Sequence, residues 1–399
     1  KLSWVCTLDM PVFFEKGQQI RFLSLLLRAA RKRQRDTGDG WRYLVCSLPR
    51  DDEPDAAAQE DGAALDQGAG KNVKYQGATV LEPTPGNHEM VSTLDFGSLY
   101  PSIMLANNCS PDTYIEGGVR AVHVNHPTLA PGLCNQRNTD PSTRTCAPGA
   151  TVMRIGHVSD ANPLQITESD DDPCFVTTNV TPGLVCEILQ TLLAQRKHVK
   201  GLVKQALKAG RISDAAARDA EQLGLKVTAN GLYGGLGGSS SFCQNHHIAA
   251  SVTRDGRALI MLSKHIAETE YVVRYRADGQ GAPEVVRAPQ ATDEAGHTDK
   301  PLKVIYGDTD SIFVKFPDDV PREEVFRASE DISERITGVL AKPHVLEFEK
   351  VYAPFIQWAK KRYAGIKFDA GCPETGKLSF SGISAVRRDN FTYLTDCIK

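Results

Sequence analysis

The stretch from Thr181 to Gly238 does most to limit what this chain can become. "TPGLVCEILQTLLAQRKHVKGLVKQALKAG" opens on a Thr-Pro start signal, keeps an apolar stripe at helical spacing and halts at Gly210, which predicts one long helix over 183–210. "SDAAARDAEQLGLKVTANGLYGG" follows at once, with Ser213 as the expected N-cap and glycines at its end. So short a connection forces an antiparallel return, and the two segments make a helical hairpin. Arg196 and Lys200 fall at i and i+4 on the first helix, and Lys226, Asn230 and Tyr233 at i, i+4 and i+7 on the second. If those faces meet, Arg196, Lys200 and Lys226 form a cationic wall able to neutralise a triphosphate, with Asn230 and Tyr233 alongside. Taken alone, a solvated basic face explains the same pattern.

Around the hairpin the periodicity alternates between strand and helix. "GQQIRFLSLLLRAARKR" (17–33) predicts a helix with cations at its end. "ATVLEP" and "MVSTLDF" predict strands on either side of a Pro-Gly turn, and "KVIYGDTDSIFVKF" predicts two short strands and their connection. A further helix is expected over about 249–269, a polar insertion over 275–301, and mostly irregular chain with short strands over 117–182. Residues 50–72, acidic and almost free of large apolar groups, predict a disordered surface loop. The expected class is α+β, an antiparallel sheet with packed helices.

Composition excludes several classes. With 399 residues, 41% of them hydrophobic, the chain can build two or three units with real cores. It has no apolar run of about eighteen residues, so a membrane span is not expected. Ten cysteines without a C-x-x-C pair argue against a zinc ribbon and fit reduced thiols inside a cell. Net charge is −3, so no global basic field announces nucleic acid. Charge is segregated instead, basic in "RAARKRQR" (28–35) and "AKKRY" (359–363), acidic in "RDDEPDAAAQEDGAALD" (50–66).

Chemistry concentrates at carboxylates. In "YGDTDS", Asp308 and Asp310 are one residue apart, and in extended chain such residues face the same way and repel unless a cation, lysine or proton intervenes. In "TLDFGSLYPS", Asp95 ends an apolar strand and is followed by turn amides suited to phosphate oxygens. Magnesium takes few protein carboxylates, and two ions ~3.5–4 Å apart suit an in-line displacement, so Asp95 with Asp308 and Asp310 is a candidate two-metal set. An isolated Asp-x-Asp also suits a solvated turn, or the manganese site of a glycosyltransferase. The latter has no use for Lys226, Asn230 and Tyr233 in register.

"DFGSLYPSIM", "KVTANGLYGG", "YGDTDS" and "KKRYAG", in that order, resemble the palm and fingers signatures of family B DNA polymerases. "GQQIRFLSLLLRAA", "YQGATVLEP", "LEFEKVY" and "GISAVRRDN" extend the resemblance over most of the chain. It implies a DNA-directed DNA polymerase core that uses two magnesium ions, for which manganese can substitute, and takes primer-template DNA and dNTPs, with an accessory or processivity subunit as a further partner. Asp95 and Asp310 would be the chief metal ligands with a main-chain group of Phe96, and Asp308 would support them. Phe96, Ser98 and Leu99 would contact the triphosphate, and Tyr100 would lie under the sugar and exclude a 2′-hydroxyl. Arg196, Lys200, Lys226 and Asn230 would grip the triphosphate, Tyr233 would back the nascent pair, and Glu349 would sit near the metals. Lys360, Lys361, Arg362 and Tyr363, with Arg387 and Arg388, would hold the DNA backbone without reading sequence.

The same resemblance divides the chain into an N-terminal connection (1–74), a first palm part (75–182), fingers (183–238), a second palm part (239–370) and the start of a thumb (371–399). Asn230-Gly231 stands where the family usually has Asn-Ser, at a local helix cost of ~1 kcal/mol. No exonuclease signature of the Asp-x-Glu type appears, and the chain starts at Lys1 and stops soon after "VRRDN", so a fragment is expected. The irregular insertions point to a large DNA virus as source, and the expected location is intracellular, in a nucleus.

Overall fold

Alternation in "VSTLDF" and "SIFVK" gives two strands with a buried apolar residue on each face, and such strands belong in the middle of a sheet. A computed structural model of the chain describes residues 18–38, 76–115, 173–178, 180–238, 241, 244–276, 281–288 and 297–383, with strand segments at 133–134, 152–154, 157–158 and 166–167. The first elements are α1 (Gln18–Thr37), β1 (Gly86–His88), β2 (Val91–Phe96) and α2 (Leu99–Ala106). Short strands β3 (Tyr114–Ile115), β4 (Leu133–Cys134), β5 (Val152–Arg154) and β8 (Cys174–Val176) form a small sheet, while β6 (His157–Val158) pairs with β7 (Ile166–Thr167). Then come α3 (Leu184–Lys208), α4 (Ile212–Gly237) and α5 (His246–Thr269). Strands β9 (Tyr271–Arg276), β10 (Glu284–Arg287) and β11 (His297–Pro301) make a three-stranded sheet. β12 (Lys303–Asp308), β13 (Ser311–Lys315), α6 (Arg322–Val339), β14 (Leu346–Ala359), β15 (Arg362–Asp369) and β16 (Cys372–Ser381) complete the α+β fold.

The main sheet is antiparallel, in the order β12-β13-β2-β14-β15-β16, and β1 also pairs with β14. Leu94, Ile312, Val314 and Val351 on one face are fully buried in the core shared with α5 and α6, at ~1.5–3 kcal/mol per side chain. The other face carries Val91, Tyr306, Phe313, Tyr352 and Phe355, against which Tyr363 packs. Asp95 lies four residues after Val91 on β2 and so shares its face, at the end of the strand.

Helices α3 and α4 form the expected antiparallel hairpin, with Gly210 at φ +70° in the turn. Its second helix begins one residue before Ser213: Arg211 is the N-cap, and it makes no side-chain capping bond. α1 crosses the base of the hairpin, where a Cβ on Gly235 would come within 2.6 Å of the Phe22 ring. The N-terminus of α3 is tied down by the loop after α2. Asn108 Oδ1 accepts from the Gly183 amide, Ser110 Oγ from the Val185 amide, and both Asp112 oxygens from the Leu184 amide at 3.0 and 3.1 Å. Arg33 of α1 closes this buried network, 3.5 Å from Asp112 and 2.8 Å from Glu187, and donates to the Pro182 carbonyl. Burial raises the pKa of Asp112, and the Ser110 hydroxyl, the Leu184 amide and Arg33 act against that rise.

Two sequence expectations fail here. "ATVLEP" is not a strand: it makes a single bridge, Val80 to Asp308, through the Leu81 amide and the Gly307 carbonyl. Pro83 has no N–H to continue the ladder, so the next bond to the sheet edge comes from Thr84, to the Ile305 carbonyl. The 275–301 insertion is more regular than expected, since β10 and β11 both pair with β9 in the described part. The 50–72 loop lies outside the described residues.

Candidate active site

Two adjacent central strands bring the distant carboxylates together. Asp95 is opposite Ser311 on β13 and Glu347 on β14, and the Phe96 amide donates to the Asp310 carbonyl at 2.8 Å. Burial, with Asp310 and Glu349 close by, pushes the Asp95 carboxyl up to about 7, while Lys226 and Lys350 pull it down. Asp310 is raised by the same burial and by Asp308 and Glu349, against the opposing pull of its own amide and Lys226. Lys226, on α4, is thus near enough to both carboxylates to favour their charged forms.

Asp308 takes a different path from Asp310. Thr309 has φ 57°, so the chain between them is not extended and the rule that i and i+2 share a face does not apply. Asp308 receives the Lys361 ammonium at 2.7 and 2.8 Å and the Tyr306 hydroxyl at 3.3 Å. Gly307 lets the chain at Leu81 close over this turn, where an added Cβ would lie 2.8 Å from Leu81 Cδ1.

The cationic faces of the hairpin do converge. Burial lowers the pKa of Lys200, with Arg196 and Lys226 as neighbouring cations, and Glu347 opposes that fall. Arg196 is lowered by burial and supported by Glu347, and it donates to Ser98 Oγ at 2.9 Å. Ser98 sits at φ 59° in the turn from β2 to α2, which starts with the buried Leu99. Asn230 is exposed on α4, and Tyr233 meets Tyr100 with ring centroids 4.4 Å apart. Phe96 buries its side chain in the core, so only its main chain is available to a ligand.

In the turn between β14 and β15, beside Lys361, Lys360 pairs with Glu82 at 2.5 Å and Arg362 is exposed. Tyr363 is packed among Phe313, Phe355, Tyr352 and Tyr306, so it positions its neighbours more than it presents a free ring. Arg387 and Arg388 lie outside the described residues.

Sequence reasoning passed over Glu347 and Lys350. The "EFEK" run held the signal, but Glu349 is an extra residue in a bulge between Phe348 and Lys350, and a bulge shifts which side chains face the site. Among the described residues no group of three or more His, Cys, Asp or Glu is arranged to hold a metal. The donor set is two mutually repelling carboxylates, Asp95 and Asp310, which suits a divalent cation that takes the rest of its shell from other oxygens.

In comparison with known proteins, the model for DNA polymerase family B matches residues 8–399. The chain belongs to DNA polymerase family B. Among its family B relatives, the DNA polymerase delta catalytic subunit of Drosophila melanogaster is 31% identical over 395 residues, covering 98% of this chain and 28% of the relative. The subunit of the same name from Glycine max is 32% identical over 385 residues, 96% of this chain and 27% of that one. The one from Plasmodium falciparum is 35% identical over 322 residues, 80% of this chain and 24% of that one. The chain thus spans about a quarter of the length of these family B relatives. No described helix is long and apolar enough to cross a membrane.

Proposed function

We propose that this chain is the nucleotidyl-transfer core of a DNA-directed DNA polymerase, with the main sheet as palm and the α3–α4 hairpin as fingers. The reaction joins the primer 3′-oxygen to the α-phosphorus of a dNTP, breaks the bond to the β-phosphate and releases pyrophosphate. The observation that carries this reading is the Asp95–Asp310 pair coupled across adjacent strands, with Lys226 near both.

Asp95 and Asp310, with the Phe96 main chain, would hold two magnesium ions, which when bound supply charge neutralisation and ease loss of the 3′-hydroxyl proton. The remaining work falls to the chain's own residues. Arg196 is held by Ser98 and Gln222, and Lys200 and Lys226 are exposed near it, so the three charges are gathered where a triphosphate would enter. Asn230 adds a polar contact, while Tyr233 and Tyr100, packed on each other, would together form one side of the space for base and sugar. Lys360, Lys361 and Arg362 hold the duplex by its phosphates. In that role the Lys361–Asp308 pair links the primer grip to the catalytic turn. A replicative role puts the protein beside the genome, in a nucleus.

The test is primer extension with magnesium and dNTPs. Asp310→Asn should lower the rate at least a hundredfold with the protein still folded by circular dichroism, and full activity in that variant would remove the metal assignment.

A further inference from the structure

The basic run of α1 takes no part in the site above. Arg28, Lys32 and Arg35 recur at i, i+4 and i+7, are exposed, and make no ion pair among the described residues. They differ in this from Arg33, which is turned inward to Asp112 and Glu187. All three line a groove of about 470 Å³ between α1 and α3. Its other wall presents the uncharged hydrogen-bonding groups Gln190, Thr191 and Gln195, over an apolar floor that includes Leu25 and Leu192. Glu187 also lines it, but Arg33 already neutralises that carboxylate at 2.8 Å. The groove therefore has a positive wall, a neutral wall and no unpaired anion among its described lining residues.

We propose that this groove holds single-stranded nucleic acid by its phosphates; naming that strand as the unpaired template rests on the polymerase reading, whereas the binding does not. At ~1.5 Å of rise per residue the three cations span roughly 10 Å of helix. Phosphates of a stacked strand recur about every 3.4 Å, so the stripe meets about three of them. The groove is small, about 470 Å³ between two packed helices, and a single strand can bend into it where a stiff, wider duplex cannot. No aromatic side chain is among the described residues that line the groove, so binding through them lacks base stacking and is sequence-independent and salt-sensitive.

The experiment is fluorescence anisotropy of a labelled oligothymidine and of a hairpin duplex across a potassium chloride series. It compares the wild-type chain with the triple variant Arg28→Ala, Lys32→Ala, Arg35→Ala. Alanine favours helix at these exposed positions, so the fold is retained, and the three single Gln variants give the same reading should the triple variant fail to fold. Each lost phosphate contact lowers the slope of log Kobs against log salt by ~0.7 for a single strand, so the triple variant should lose about 2 from its slope and a single variant about 0.7. Duplex binding should keep its slope. Absent oligothymidine binding by wild type, an unchanged slope in the variants, or an equal loss on the duplex would each overturn the proposal. Anisotropy reads binding alone, so the groove is tested equally well in a chain without polymerase activity.

Discussion

Replacing Asp112 by alanine tests whether the base of the hairpin sets the position of the cationic wall. The carboxylate is fully buried and accepts from the Leu184 amide with both oxygens, so its loss leaves that amide and the Ser110 hydroxyl without an acceptor. Losing an N-cap costs about 1 kcal/mol, and stranding a buried polar group costs about 1–3 kcal/mol. Removing one member of a buried ion pair costs ~3–5 kcal/mol when the partner is stranded, but Arg33 keeps Glu187 and the Pro182 carbonyl. The net expectation is a loss of about 3 kcal/mol. If the opening is local, hydrogen exchange at the Leu184 and Val185 amides should quicken by roughly a hundredfold, at 1.36 kcal/mol per decade. Arg196 and Lys200 ride on the same helix, so KM for dNTP should rise more than kcat falls. Asp112→Asn keeps an acceptor and should cost about 1 kcal/mol. Equal effects of Ala and Asn, or unchanged exchange at these two amides, would refute the reasoning.

Other outcomes follow from the same geometry. With divalent ions removed by EDTA, the raised Asp95 pKa means that the folded state binds more protons than the unfolded one. Its contribution to stability is therefore full below the ordinary carboxylate range and is lost as pH rises to about 7; Tm should fall over that window, and Asp95→Asn should flatten the profile. Gly235→Ala drives a methyl into the Phe22 ring and should cost about 1–3 kcal/mol, with Phe22→Leu restoring most of it in chemical denaturation. Lys361→Ala breaks an exposed ion pair worth ~1 kcal/mol or less, so Tm should hold while the dissociation constant for primer-template rises several-fold. Tyr100→Ala should admit ribonucleotides in primer extension, and unchanged sugar selectivity would count against a steric role for that ring.

The hairpin, its cation register and the strand ending in Asp95 were legible in the sequence, because helix and strand periods and glycine stops are local properties of the backbone. So was the turn at "YGDTDS". Local pattern does not say which strands pair, and for that reason only the folded sheet put β13 and β14 on either side of β2 and so set Asp310 and Glu347 beside Asp95. The positive φ at Thr309 belongs to the two-residue turn between β12 and β13, but the meeting of Asp308 with Lys361, 53 residues away, and the bulge at Glu349 that brings Lys350 toward Asp95 come only with tertiary pairing. Proton affinities belong to the same class: a carboxylate is raised to about 7 by burial and neighbouring charge, and both exist only once distant segments have packed.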